Sequence, residues 1–216
     1  MNAVLKKENI LICSLREIDT ARPIVGIEHK KDILKFIRVP FPNDGAQDYR
    51  LYMPDANLFV LYKQGRHGSN VYRWLVLGIV SCKTSFHARE TESTFWALVL
   101  KSYPMRVVMA TEDKNRYKTR TELGTCEKPT AARHRLEAFM DRVYIIKKYG
   151  NGHNMMADIS KFHDVFETMQ SRGYRSQNTQ IFDEWHTPTH AGYCNKIKPF
   201  DDLISDIMLW KLERTQ

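Results

Sequence analysis

The stretch "LGIVSCKTSFHARETESTF", residues 77–95, carries the decisive change of pattern in the chain. "LGIV" continues an apolar run that begins at "VYRWLV", and "VYRWLVLGIVSCK" reads as a strand apolar enough to be central in a sheet. From Phe86 to Lys101 the residues suit a helix, which Pro104 stops. Lys83 stands between the two, where the strand ends and a dense polar row begins.

Working outward, "QGRHGSN" holds two glycines and reads as a hairpin connection back to an earlier strand, "RLYMPDANLFVLYK". Before that, "VPFPNDGAQDY" has the Pro, Asn, Asp and Gly of a loop. Residues 3–20 are expected to form a helix with Leu5, Ile12 and Leu15 apolar, and Glu28 to Arg38 a second, with Ile33, Leu34 and Ile37 on one side.

Downstream, "MRVVMATED" is expected as a strand, Thr130 to Arg142 as a helix and "VYIIKKYGNG" as a strand. Ile159, Phe162, Phe166 and Met169 recur at helical spacing, with Gly173 as a stop. Residues 174–199 read as irregular, and a last helix starts near Asp201 with Leu203, Ile207 and Trp210. Strands alternating with helices in this order predict a mixed α/β fold. No repeat, low-complexity tract or boundary divides residues 1–216, so one domain is expected.

The chain carries a formal net charge of +8, which suits a polyanionic partner, nucleic acid above all, or simply a basic surface. No apolar run is long enough to span a bilayer, and the first residues lack the apolar core and cleavage site of a signal peptide. A cytoplasmic protein is expected, with no membrane partner and no small-molecule ligand. The scattered Cys13, Cys82, Cys126 and Cys194 are then free thiols. His186, His190 and Cys194 are spaced four and four, but Pro188 and Gly192 break the helix that would align them as a zinc site.

The chemistry concentrates at two strand ends. Asp55 heads one predicted strand and Lys83 closes the next, 28 positions later. A hairpin returns the chain to its start and brings such ends side by side. A carboxylate beside an ammonium can serve a divalent metal and a water, or form an ordinary salt bridge.

"MPDANLFVLY" followed by "IVSCKTSFHARETESTFW" resembles the core of the PD-(D/E)XK nucleases. It is most similar to type II restriction endonucleases of the BsaWI-like and CCGG-reading groups. Pro54-Asp55 matches the first half-motif and Ser81-Cys82-Lys83 the second; the likeness covers about residues 40–150. It implies a PD-(D/E)XK core with a mixed central sheet flanked by helices. The terminal helices are left for dimerisation or DNA contact. It further implies Mg²⁺-dependent, sequence-specific hydrolysis of double-stranded DNA, giving 5′-phosphate and 3′-hydroxyl ends.

The chain departs from the motif where the acid two positions before the lysine is expected: Ser81 stands there. In related enzymes this acid has migrated to the following helix, in some to the fourteenth position after the lysine, which here is Ala97. Glu92 and Glu90 are the candidates. With Phe95 taken to face the sheet in line with Ala88 and Val99, Glu92 lies about 60° from it and Glu90 about 140° away, which selects Glu92, with Glu90 as the alternative.

The resemblance then implies Asp55, Lys83 and Glu92 as catalytic residues. Asp55, Glu92 and the Cys82 backbone carbonyl would be the metal ligands. Ser85, His87 and Arg89 fall where relatives touch DNA, and arginine suits a guanine edge as well as a phosphate. Lys114, Arg116 and Lys118 add a basic segment for phosphates. A palindromic site implies a homodimer. The rival readings are a repair or junction nuclease, one subunit of a heteromeric restriction enzyme, and a DNA-binding module without cutting activity.

Overall fold

The computed structural model describes residues 2–42, 49–54, 56–65, 71–83, 89–112, 122–146, 196–200 and 202–215. The elements are α1 (Asn2–Lys7), β1 (Ile10–Cys13), α2 (Leu15–Ile18), α3 (Ile27–Ile37), β2 (Val39–Pro42), β3 (Tyr49–Tyr52), β4 (Leu58–Gly65), β5 (Tyr72–Lys83), α4 (Arg89–Val99), β6 (Arg106–Thr111), α5 (Ala131–Phe139), β7 (Arg142–Ile145), β8 (Ile197–Pro199) and α6 (Asp202–Thr215), with a 3₁₀ turn at Leu100–Ser102.

The twelve-residue β5 lies inside a six-stranded sheet of order β1-β4-β5-β6-β7-β8. β1, β4 and β5 pair antiparallel; β5 through β8 pair parallel. This is the mixed α/β fold that the sequence pattern predicts, with the mixed central sheet flanked by helices that the resemblance implies. One face is covered by α3, α4 and α5, through Ile33, Leu34, Ile37, Trp96, Ala97 and Leu136 against Phe59, Val76, Ile79, Met109 and Val143. The other is covered by α1 and α6, through Leu5, Leu203, Ile207 and Trp210 against Val60, Leu77, Val108 and Tyr144. Burying each such side chain contributes roughly 1.5–3 kcal/mol, so the long α6 is held chiefly by its apolar stripe.

Three expectations are corrected. Residues 3–20 are not one helix. The Glu8 and Asn9 amides bond back to Leu5 and Lys6 and close α1, and Asn9 takes a left-handed conformation (φ 59°) that asparagine tolerates. Ile10 to Cys13 then pair with β4, and a capping box between Ser14 and Glu17 starts α2 afresh. The "VPFP…Y" region is not all loop, because β2 and β3 pair as a separate two-stranded sheet; residues 43–48 lie outside the described residues. Correspondingly, "RLYMPDANLFVLYK" is two strands, β3 and β4. Finally, within the region expected to be irregular, Ile197–Pro199 forms the edge strand β8 on β7. The helical stripe at 159–173 lies outside the described residues.

One irregularity orients the end of β5. Its pairing with β4 shifts between Val60, opposite Gly78, and Leu61, opposite Val76, so Leu77 is an extra residue in a β-bulge. Val76 and Ile79 both enter the α4-side core, whereas Leu77 joins the α6-side core and Gly78 faces Trp210. A Cβ at Gly78 would stand 2.9 Å from the Arg106 carbonyl and 3.0 Å from the Trp210 ring, so this crowded bulge requires glycine. Beyond it, simple alternation resumes. Ser81 and Lys83 share the α4 face, and Cys82 packs against the opposite core.

Candidate active site

The end of β5 is polar but enclosed. Lys83 is 4% exposed, and its parallel neighbour Thr111 on β6 is fully buried. Ser81, in the place of the expected acid, is also buried; its hydroxyl lies 3.0 Å from that of Ser93 on α4. Because β5 and β6 are parallel neighbours, α4 between them runs back along the sheet. From the Ser81–Ser93 contact, Lys83 lies two residues up the strand, about 6.6 Å. Glu90 lies three residues back along the helix, about 4.5 Å in the same direction. The two side chains therefore reach the same level on the same face.

Glu90 is 9% exposed. Its Oε1 accepts from the Arg135 guanidinium of α5 in an ion pair. Its Oε2 is buried and has no hydrogen-bond partner among the described residues. A buried carboxylate oxygen without a donor is costly, and a cation is the partner that would satisfy it. Such a hard oxygen suits Mg²⁺ or a similar ion. No three His, Cys, Asp or Glu side chains cluster as a metal site among the described residues, which do not include Asp55.

The helix phase that selects Glu92 is corrected. Phe95 is 47% exposed and Glu92 lies on the exposed side, whereas Glu90, Ser93, Thr94, Ala97 and Leu100 are buried. Phe95 turns outward because it packs elsewhere: it stacks at 6.0 Å on Phe41 of β2 and meets Trp96 edge-on. The inward line thus passes through small polar residues, and Glu90 rather than Glu92 falls on it.

Asp55 itself lies outside the described residues, but the chain just past it is anchored at this point. The Asn57 amide donates to the Val80 carbonyl at 3.0 Å, and the Asn57 side-chain oxygen accepts from the Cys82 amide at 2.7 Å. The Cys82 thiol is pushed up by burial, against a smaller opposing effect of Lys83, so it is a protonated packing group. Ser85 and His87 lie outside the described residues, as do Lys114, Arg116, Lys118 and the His186, His190 and Cys194 trio. Arg89 opens α4.

Sequence reasoning missed Asn57, Ser93 and Arg135. The two-residue offset of Asn57 from Asp55 carries no signal by itself. Ser93 was available as the small polar residue one turn after Glu90. Arg135 is visible only once α5 is packed on α4.

Known proteins resemble this chain. The family model described as BsaWI restriction endonuclease type 2 matches residues 27–168. A curated relative from Methanocaldococcus jannaschii, "Putative type II restriction enzyme MjaVIP", is 34% identical over 103 residues, covering 45% of this chain and 42% of that protein. The match thus spans less than half of the relative's length. A crystal structure of the specific restriction endonuclease AgeI in complex with DNA superposes with a TM-score of 0.45 at 14% identity, covering 73% of this chain and 60% of that one. With the family model matched across more than half its length, this chain belongs to the BsaWI restriction endonuclease type 2 family.

Proposed function

We propose that this chain is a type II restriction endonuclease that hydrolyses double-stranded DNA at a specific sequence, leaving 5′-phosphate and 3′-hydroxyl ends. The family match supports the class. The observation that carries the site is the orphaned Glu90 oxygen, level with the buried Lys83 at the end of β5.

In this reading Lys83 is a catalytic residue. Its ammonium, held in an enclosed pocket, orients the attacking water beside the scissile phosphate and steadies the charge that builds there. Asp55 and Glu90 would hold Mg²⁺ together with the Cys82 backbone carbonyl, Glu90 taking the place first given to Glu92. The Asn57 anchor on Cys82 supports a position for Asp55 beside Lys83. When bound, the metal supplies Lewis acidity at the phosphate and lowers the pKa of a ligated water. Burial of the Ser81–Ser93 pair excludes solvent behind the site.

DNA contacts are assigned to Ser85, His87, Arg89, Lys114, Arg116 and Lys118. A palindromic target calls for a homodimer, each copy acting as a single cytoplasmic domain. Purified protein incubated with phage DNA and Mg²⁺ should yield discrete fragments, and sequencing their ends gives site and stagger. Absence of cleavage with Mg²⁺, Mn²⁺ and Co²⁺ across pH 6–9 refutes the reading. It would favour a DNA-binding module, for which Ser81 in the acid's place is the supporting observation. Cutting of branched DNA alone would favour a junction nuclease, and nicking without double breaks a missing partner subunit.

A further inference from the structure

Glu90 and Arg135 form an unequal pair. The Arg135 side chain is 49% exposed and that of Glu90 11% exposed. An arginine fork can grip both oxygens of a carboxylate, which is its strongest arrangement. Here one guanidinium nitrogen meets only Oε1, and Oε2 is left buried and unpaired. Nearby hydroxyls on α4 do not fill the gap, because Ser93 is engaged with Ser81 and Thr94 donates to the Thr91 carbonyl. An ion pair serving stability alone would gain from the second contact.

We propose that Arg135 is a positioning residue: from α5 it fixes one oxygen of Glu90 so that the other is presented to a divalent cation at the end of β5. The inference rests on Glu90 being the migrated acid. In this proposal Arg135 is not itself a cation ligand. Its effect passes through the orientation of a ligand, as outer partners of metal ligands commonly act. Its charge also offsets that of the Glu90 carboxylate before a cation arrives.

The test is cation binding by the full chain without DNA, followed by loss of the free Mn²⁺ electron paramagnetic resonance signal. Arg135→Ala should weaken Mn²⁺ binding by about 10–100-fold, the range typical of lost outer-shell partners. Arg135→Lys should recover most of that loss. Arg135→Met keeps the stem and removes the guanidinium, so it answers the question should the alanine variant fail to fold. Glu90→Gln should weaken binding at least as much, and Glu90→Gln with Arg135→Ala should be no weaker than Glu90→Gln alone. Equal or tighter binding by a folded Arg135→Ala or Arg135→Met variant overturns the role of Arg135. So does a double variant that loses the two effects independently. Wild-type binding by Glu90→Gln instead overturns the assignment of Glu90, and with it the reading on which the inference rests.

Discussion

Two buried carboxylates sit on opposite faces of the same sheet and are treated differently. On the α6 side, Asp206 is 4% exposed and fully employed. The Tyr144 hydroxyl donates to its Oδ2 at 2.6 Å, Lys198 to its Oδ1 at 3.3 Å, and Arg142 stands 3.8 Å away. Burial, together with the adjoining Asp206 charge, pushes the Tyr144 hydroxyl well above its usual range, so it remains a donor. On the α4 side, Glu90 has one oxygen paired and one orphaned. Burial of a charge is common to both and identifies neither as a site. What separates them is incomplete satisfaction: Asp206 ties α6 to β7 and β8, while Glu90 retains an unused oxygen on the face of the sheet that carries Lys83.

The largest effect should come from Lys83→Ala, which is expected to lower the rate of DNA cleavage by about 10²–10⁴-fold with a native circular dichroism spectrum. Retained cleavage would place the chemistry elsewhere. Asp206→Ala should do the reverse. It leaves Lys198 and Tyr144 without their shared partner and should cost about 3–5 kcal/mol in urea unfolding, with normal cleavage where the variant is folded. If Asp206→Ala instead abolished cutting at full stability, the contrast between the two carboxylates would collapse.

Gly78→Ala should cost about 1–3 kcal/mol, because the added methyl meets the Arg106 carbonyl and the Trp210 ring. Since that bulge sets the face on which Lys83 lies, cleavage should fall further than stability explains. A variant that is destabilised yet cuts normally would show that the bulge is packing alone.

The smallest effect is expected at Ser14→Ala, about 1 kcal/mol at neutral pH, from loss of the helix cap. Glu17 is held below the usual carboxylate range, first by the Ser14 amide and then by its hydroxyl. A depressed acid contributes its stability above its unfolded pKa and loses it as pH falls through the folded value. The difference between Ser14→Ala and wild type should therefore shrink in acid, as thermal melts at pH 7 and pH 3 would read.

Much of this arrangement was legible in the sequence. The apolar run of β5 and the break at Lys83 announce a central strand with a charge at its end, and Pro104 separates α4 from β6. The N-terminal region was misread because apolar periodicity over residues 3–20 outweighed a local sign, Ser14 with Glu17 three residues later, which marks a helix start rather than its middle. The phase of α4 was not legible. A phenylalanine ordinarily marks the inward face, but Phe95 finds its partner on β2, whose strand character depends on pairing with β3. The bulge at Leu77 was hidden for a related reason, since an inserted residue in an all-apolar strand leaves no break in the pattern.

The most direct test of the central claim sets Glu90→Gln against Glu92→Gln in Mg²⁺-dependent cleavage of one DNA of known sequence. Glu90→Gln should lower cleavage sharply, by no more than Lys83→Ala does, while leaving the melting temperature in metal-free buffer within a few degrees of wild type, and Glu92→Gln should cut like wild type. Cleavage that is undiminished by Glu90→Gln, or that is lost with Glu92→Gln alone, would contradict the assignment of the orphaned Glu90 oxygen to the active site.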